Sequence, residues 1–154
     1  MHKQIASFCI ISFFLISKIA SAETIQINFT GDDSYSVEVA NIDVGDTIEW
    51  YPDDNGHNVE FLAGPNMESL PAKSKLNAFH SVVFEIPGVY LYQCSPHGNS
   101  GMIGLVVVGN NFHNLEGIKK VQLSRAPTSV LKKLIRISPK IFATQIAKGR
   151  FCGF

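Results

Sequence analysis

The amino-acid sequence predicts an all-β protein, an antiparallel β-sandwich with two short α-helices on its C-terminal side. Three observations lead there. Short runs of alternating apolar residues recur from residue 24 to residue 109. Each run is bounded by turn residues. Beyond Gly109 the apolar spacing changes from two to that of a helix. Period-two alternation rich in β-branched and aromatic residues marks strands, and several short strands with frequent turns mark a sandwich.

The runs follow in order. TIQINF sets Ile25, Ile27 and Phe29 on one face. After the turn GDD, SVEVA groups Val37 with Val39. TIEWY pairs Ile48 with Trp50, and DDNG leads into HNVEFL. HSVVFEI stops at Pro87-Gly88, and VYLYQC follows directly. IGLVVV is almost continuously apolar, as a strand covered on both faces should be. In the tail, NLEGIKKVQL and TSVLKKLIRI have helical spacing. Val130, Leu131, Leu134 and Ile135 form a stripe, with Lys132, Lys133 and Arg136 facing away. Pro127-Thr128-Ser129 is a suitable helix start. The closing stretch SPKIFATQIAKGRFCGF reads either as a third helical piece or as a frayed end.

The N-terminus reads as a leader. Lys3 precedes an apolar run from Ile5 to Ser17, and Ala20-Ser21-Ala22 is a small-x-small cleavage motif. The run is short for a bilayer span. The expected organisation is a signal peptide at 1–22, a sandwich at 23–110, packed helices at 111–137 and an extension at 138–154. A protein exported in this way is expected in the periplasm, with no stable membrane insertion after cleavage.

The zero net charge conceals an asymmetry. Residues 23–110 hold twelve acids and two bases, Lys73 and Lys75, whereas residues 111–154 hold one acid and nine bases. The basic tail is amphipathic, so the expectation is that it lies on the acidic body rather than on a membrane or an acidic partner, and no nucleic-acid partner is expected.

One loop concentrates chemistry. YQCSPHGNSGM places Cys94, His97 and Met102 in a Cys-x2-His-x4-Met spacing at the end of a strand. A thiolate, an imidazole and a thioether are soft ligands, and a second imidazole completes the two-His, one-Cys site with weak axial Met of electron-transfer copper centres. His57, after the turn DDNG, is available for that place, because loops cluster at the ends of a sandwich. Three other uses of these residues compete. Cys94 and Cys152 could form a disulfide, which leaves the histidines and Met102 without a role. Zinc fits less well, because structural zinc sites rarely take a thioether. A Cys94–His97 nucleophile pair lacks a third group to orient the base, so an enzyme is not expected. His80 and His113 read as structural or surface residues.

GHNVE at 56–60, with GVYLYQCSPHGNSGMIGLVVVG at 88–109, resembles the cupredoxin family. NLEGIKK, the second helix and KSKLN at 73–77 resemble its pseudoazurin branch. The resemblance implies a Greek-key, cupredoxin-like sandwich of eight strands holding one type 1 copper ion per chain. It implies His57, Cys94 and His97 as equatorial ligands and Met102 as the axial one. It further implies that the Asn58 N–H bonds the cysteine sulfur and that the Asn58 side chain ties the ligand loops together. The function implied is a monomeric one-electron carrier, docking transiently at its His97 face with a nitrite reductase-like enzyme or a c-type cytochrome. A copper-handling protein, chaperone or store, is the alternative. The apolar ring around His97 is expected from Gly98, Gly101, Met102 and the turns at Pro52 and Pro65. One departure stands out: pseudoazurins ring that patch with lysines, whereas DDNG directly precedes His57 here.

Overall fold

A computed structural model describes residues 21–147. Nearly all of the expected leader lies outside that range, as does Cys152. Among the described residues, eight strands form two four-stranded sheets. The first sheet runs β2 (Ser34–Tyr35), β1 (Thr24–Thr30), β4 (Thr47–Tyr51), β6 (His80–Val83). The second runs β3 (Val39–Ile42), β8 (Ile103–Val108), β7 (Gly88–Gln93), β5 (Glu60–Ala63). The sandwich expected from the alternating runs is present. Its ladders are not all antiparallel, however: β1 pairs with β4 and β3 with β8 in parallel. The chain changes sheets between these partners, so each returns without a hairpin reversal.

Alternation explains the core. Ile27, Phe29, Ile48 and Trp50 point between the sheets and meet Phe61, Phe84, Tyr92, Val106 and Val108. Trp50 meets Tyr92 edge-on, with ring centroids 5.5 Å apart, a favoured aromatic arrangement. The opposite face of the second sheet turns Val89, Leu91, Leu105 and Val107 toward the helices. This double covering is why IGLVVV is buried along its whole length.

SVEVA behaves differently from expectation. It is not one strand: β2 ends at Tyr35 and β3 begins at Val39. Val37 packs against the inter-sheet core, while Val39 belongs to the cluster beneath the helices. The segment is where the chain passes from one sheet to the other, so two-residue spacing no longer keeps two side chains on one face.

Helix α1 spans Leu115–Ile118 and α2 spans Arg125–Ala147. Helix α2 begins two residues before Pro127, which sits in the first turn where its missing N–H costs nothing. Leu131 and Leu134 are buried against the second sheet, Val130 and Ile135 are half-buried, and Lys132, Lys133 and Arg136 are exposed. The helix continues past Ile137 through Pro139, which cannot bond the Ile135 carbonyl and lies on the exposed side. The basic tail meets the acidic body at Lys133 and Glu38, 3.3 Å apart. A single surface pair of this kind contributes little, about 0–1 kcal/mol, so apolar burial holds the helix in place. No helix among the described residues is long and apolar enough to cross a membrane.

Candidate metal centre

Cys94 follows directly on β7, and Met102 directly precedes β8. The strands are antiparallel neighbours, so the loop between them must close on itself. It does so through main-chain bonds. The Cys94 N–H donates to the Met102 carbonyl (3.0 Å), and the Gly98 N–H donates to the Cys94 carbonyl (2.6 Å). The Met102 N–H donates to the His97 carbonyl (3.1 Å). The loop ends at Gly101, whose φ of 115° lies where only glycine is at ease. These bonds gather the residues of the Cys-x2-His-x4-Met motif at one end of the sandwich.

His57 arrives from the other side. It lies three residues before β5, in the loop that leaves β4. The Gly56 N–H donates to the Asn77 side-chain oxygen (2.6 Å), and the Asn77 N–H donates to the His57 carbonyl (2.9 Å). Asn77 thus brackets the histidine on both sides. His57 is 1% exposed, Cys94 0% and Met102 2%, whereas the His97 side chain is 31% exposed.

The candidate ligand atoms converge. The Cys94 sulfur is 3.7 Å from Nδ1 of His57 and 3.7 Å from Nδ1 of His97. The two Nδ1 atoms are 3.1 Å apart. One thiol and two imidazole nitrogens therefore lie within 4.8 Å of one another. This is the fit a trigonal two-His, one-Cys copper site requires. Cys94 is buried and unpaired among the described residues.

A polar clamp holds the two halves of the site together. Asn58 Oδ1 accepts from the Ser95 N–H (2.7 Å), and Asn58 Nδ2 donates to the Ser95 hydroxyl (3.2 Å). The Asn58 tie implied by resemblance is thus present. Sequence reasoning missed the rest of the clamp. The Tyr35 hydroxyl donates to the Asn58 carbonyl (2.9 Å). Glu60 Oε2 accepts from Gln93 Nε2 (3.0 Å) and the Ser95 hydroxyl (2.9 Å), while Oε1 meets Lys73 at 3.2 Å. The Gln93 bond first, with Ser95 and Lys73 behind it, holds the Glu60 carboxyl below its usual range. Glu60 stands in the motif GHNVE, and only the unusual placing of an acid beside a buried asparagine could have flagged it.

Pro65 does not border His97. A Cβ on Gly88 would stand 2.8 Å from the Pro65 side chain, and Gly88 opens the strand whose far end carries Cys94. That strand is about 17 Å long at ~3.3 Å per residue, so Pro65 lies at the opposite pole. His80 is structural, as expected. It stacks at 5.8 Å from Trp50, and burial lowers its pKa.

Comparison with known proteins agrees with this geometry. Residues 23–109 match the family described as copper binding proteins, plastocyanin/azurin family. A Rhizobium leguminosarum bv. viciae protein named as a pseudoazurin is 40% identical over 105 residues, covering 68% of this chain and 67% of that protein. Pseudoazurin of Methylorubrum extorquens is 42% identical over 79 residues, covering 51% of this chain and 53% of that protein. Among solved structures, a pseudoazurin from Sinorhizobium matches with TM-score 0.68 at 30% identity, over 75% of this chain and 95% of that one. The family consists of electron carriers rather than enzymes. The chain belongs to the plastocyanin/azurin family of copper binding proteins, and copper is its metal.

Proposed function

We propose that the chain is a periplasmic one-electron carrier, with residues 1–22 as its leader. His57, Cys94 and His97 are its equatorial copper ligands and Met102 the weak axial one. A copper ion held there supplies the chemistry by passing between Cu(II) and Cu(I). The observation that carries the reading is the convergence of one thiol and two Nδ1 atoms, with only His97 open to solvent. The residues do three things. Cys94 and Met102 provide soft sulfur, which suits the reduced metal, while the imidazoles suit the oxidised one. The Asn58–Ser95–Glu60 clamp fixes both loops, so little rearrangement accompanies the change of charge. His97 presents a ring edge to a redox partner in a brief encounter, for which an interface under about 1,200 Å² suffices.

The choice of partner follows from charge. Asp32 and Asp33 occupy the β1–β2 turn, and Asp53 and Asp54 the loop before His57. None pairs with a lysine or arginine among the described residues, and Lys73 is occupied by Glu60. An acidic rim steers a partner with a basic docking face, such as a c-type cytochrome, rather than one with an acidic face such as a nitrite reductase-like enzyme. Stopped-flow electron exchange at varied ionic strength tests this. The rate with a basic partner should rise about ten-fold or more as salt is lowered, the smaller end of electrostatic steering. A rate that rises only with the acidic partner would contradict the charge argument. Exchange with neither partner would contradict the carrier.

A further inference from the structure

The β1–β2 turn and the β4–β5 loop each carry an aspartate pair, and the members of each pair have different fates. Asp32 accepts from the Thr30 hydroxyl and, at 2.8 Å, from the Ser34 hydroxyl; these bonds hold its carboxyl below the usual range. Asp53 accepts from the Asn28 side chain. Asp32 therefore braces its own turn, and Asp53 ties its loop to β1. The other two face the imidazoles. Asp54 Oδ2 lies 3.4 Å from His57 Nε2. Asp33 Oδ1 lies 3.6 Å from His97 Nδ1 and 3.9 Å from His57 Nε2. Among the described residues the Asp54 carboxylate has no other hydrogen-bonding partner, and the Asp33 carboxylate has none, its contacts with the imidazoles being too long for one.

Backbone geometry puts them there. Asp33 has φ of 55°, a left-handed conformation that aspartate tolerates better than most residues. The two loops touch, since a Cβ on Gly31 would stand 3.7 Å from Asp54 Oδ2. The acids are half-exposed, with side-chain accessibilities of 46% for Asp54 and 51% for Asp33, whereas the His57 they border is buried.

We propose that Asp54 and Asp33 are positioning residues of the metal centre, Asp54 set against the outer Nε2 edge of His57 and Asp33 lying beside both imidazoles and acting through its charge alone, and that together they favour the oxidised metal over the reduced one. The proposal rests on the copper reading above. A neutral imidazole carries one N–H, and an acceptor at Nε2 holds the proton there, leaving Nδ1 bare for the metal. A carboxylate in that place also makes the imidazole a stronger donor. Two negative charges beside the site attract a doubly charged metal more than a singly charged one, an attraction that solvent and salt weaken at half-exposed groups. The reduction potential is then lower than it would be with amides in both places.

The test uses the full copper-loaded chain, with potential read by spectroelectrochemical titration and both oxidation states by competition with Cu(I) and Cu(II) chelators. Asp54→Asn keeps an acceptor for the Nε2–H and removes only the charge; Asp54→Ala removes both. For Asp54→Asn the expected change is a loss of Cu(II) binding relative to Cu(I) of about ten-fold, the lower end for a supporting partner, which for one electron is a rise of about 59 mV. Asp54→Ala should rise further. Asp33→Asn should rise less, and its rise should shrink in high salt. An Asp33→Asn/Asp54→Asn double variant that keeps the visible band and the wild-type potential would overturn the proposal. Equal weakening of both oxidation states would also overturn it, because that marks a merely structural role. A wild-type chain with no thiolate–copper band would sink the copper reading itself and this proposal with it, an outcome separable from the other two.

Discussion

Cys94→Ser abolishes the intense visible absorption of the copper-loaded chain while leaving the fold in place. The sulfur is fully buried and stands 3.7 Å from Nδ1 of His57 and of His97, the two imidazole nitrogens proposed as ligands. A serine hydroxyl fits the same space but does not ionise near neutral pH, so the thiolate-to-copper band has no donor. Binding should fall by at least the roughly 10–100-fold that losing a mere supporting partner costs. The main-chain bonds of Cys94 to Met102 and Gly98 do not involve the sulfur, so the loop keeps its path. Absorption spectra and a thermal melt of the variant check both halves. The companion variant Cys152→Ser should keep the band. If Cys152→Ser lost it and Cys94→Ser kept it, the assignment of Cys94 would be wrong.

His97→Gly slows electron exchange with a partner and with a second copy of the chain, and added imidazole restores much of the rate. The reason is exposure. His97 is the only one of the four proposed ligands whose side chain is substantially open, at 31%, while His57 is closed behind its loop. Removing it takes away both a ligand and the ring edge that meets the partner. Well-positioned reactions lose on the order of 100-fold when their contact geometry slips by about 1 Å, and a drop of that order is expected here. Free imidazole can refill the opening because the opening faces solvent. Undiminished rates without added imidazole would place the exit of the electron elsewhere.

The proposed site was legible in the sequence to the extent that it is local. Cys94, His97 and Met102 share one loop, and a loop between two adjacent antiparallel strands brings its members together whatever the rest of the chain does. His57 was legible for a weaker reason, the clustering of loops at a sandwich end, and its exact meeting with Cys94 depends on Asn58, Ser95 and Asn77. The supporting acids were not legible. Asp33 reaches the imidazoles through a left-handed turn residue, and nothing in GDD distinguishes it from Asp32, which turns to Thr30 and Ser34 instead. Pro65 was assigned to the wrong pole because a proline marks a turn without saying at which end of the sandwich the turn lies. Val37 and Val39 were separated by a change of sheet, which alternation cannot register because each residue remains at least partly buried after the crossing. Helix α2 was visible as a stripe, but its start was set two residues too late, since proline is equally acceptable within the first turn.

Titration of the full chain with Cu(II), followed by visible absorption and electron paramagnetic resonance, is the sharpest test of the blue copper carrier. Such a carrier saturates at one copper per chain, shows an intense blue thiolate band, and is bleached by reductant in a way that reverses on reoxidation without loss of metal. A colourless complex, or a colour lost only when the metal leaves for another acceptor, would contradict it.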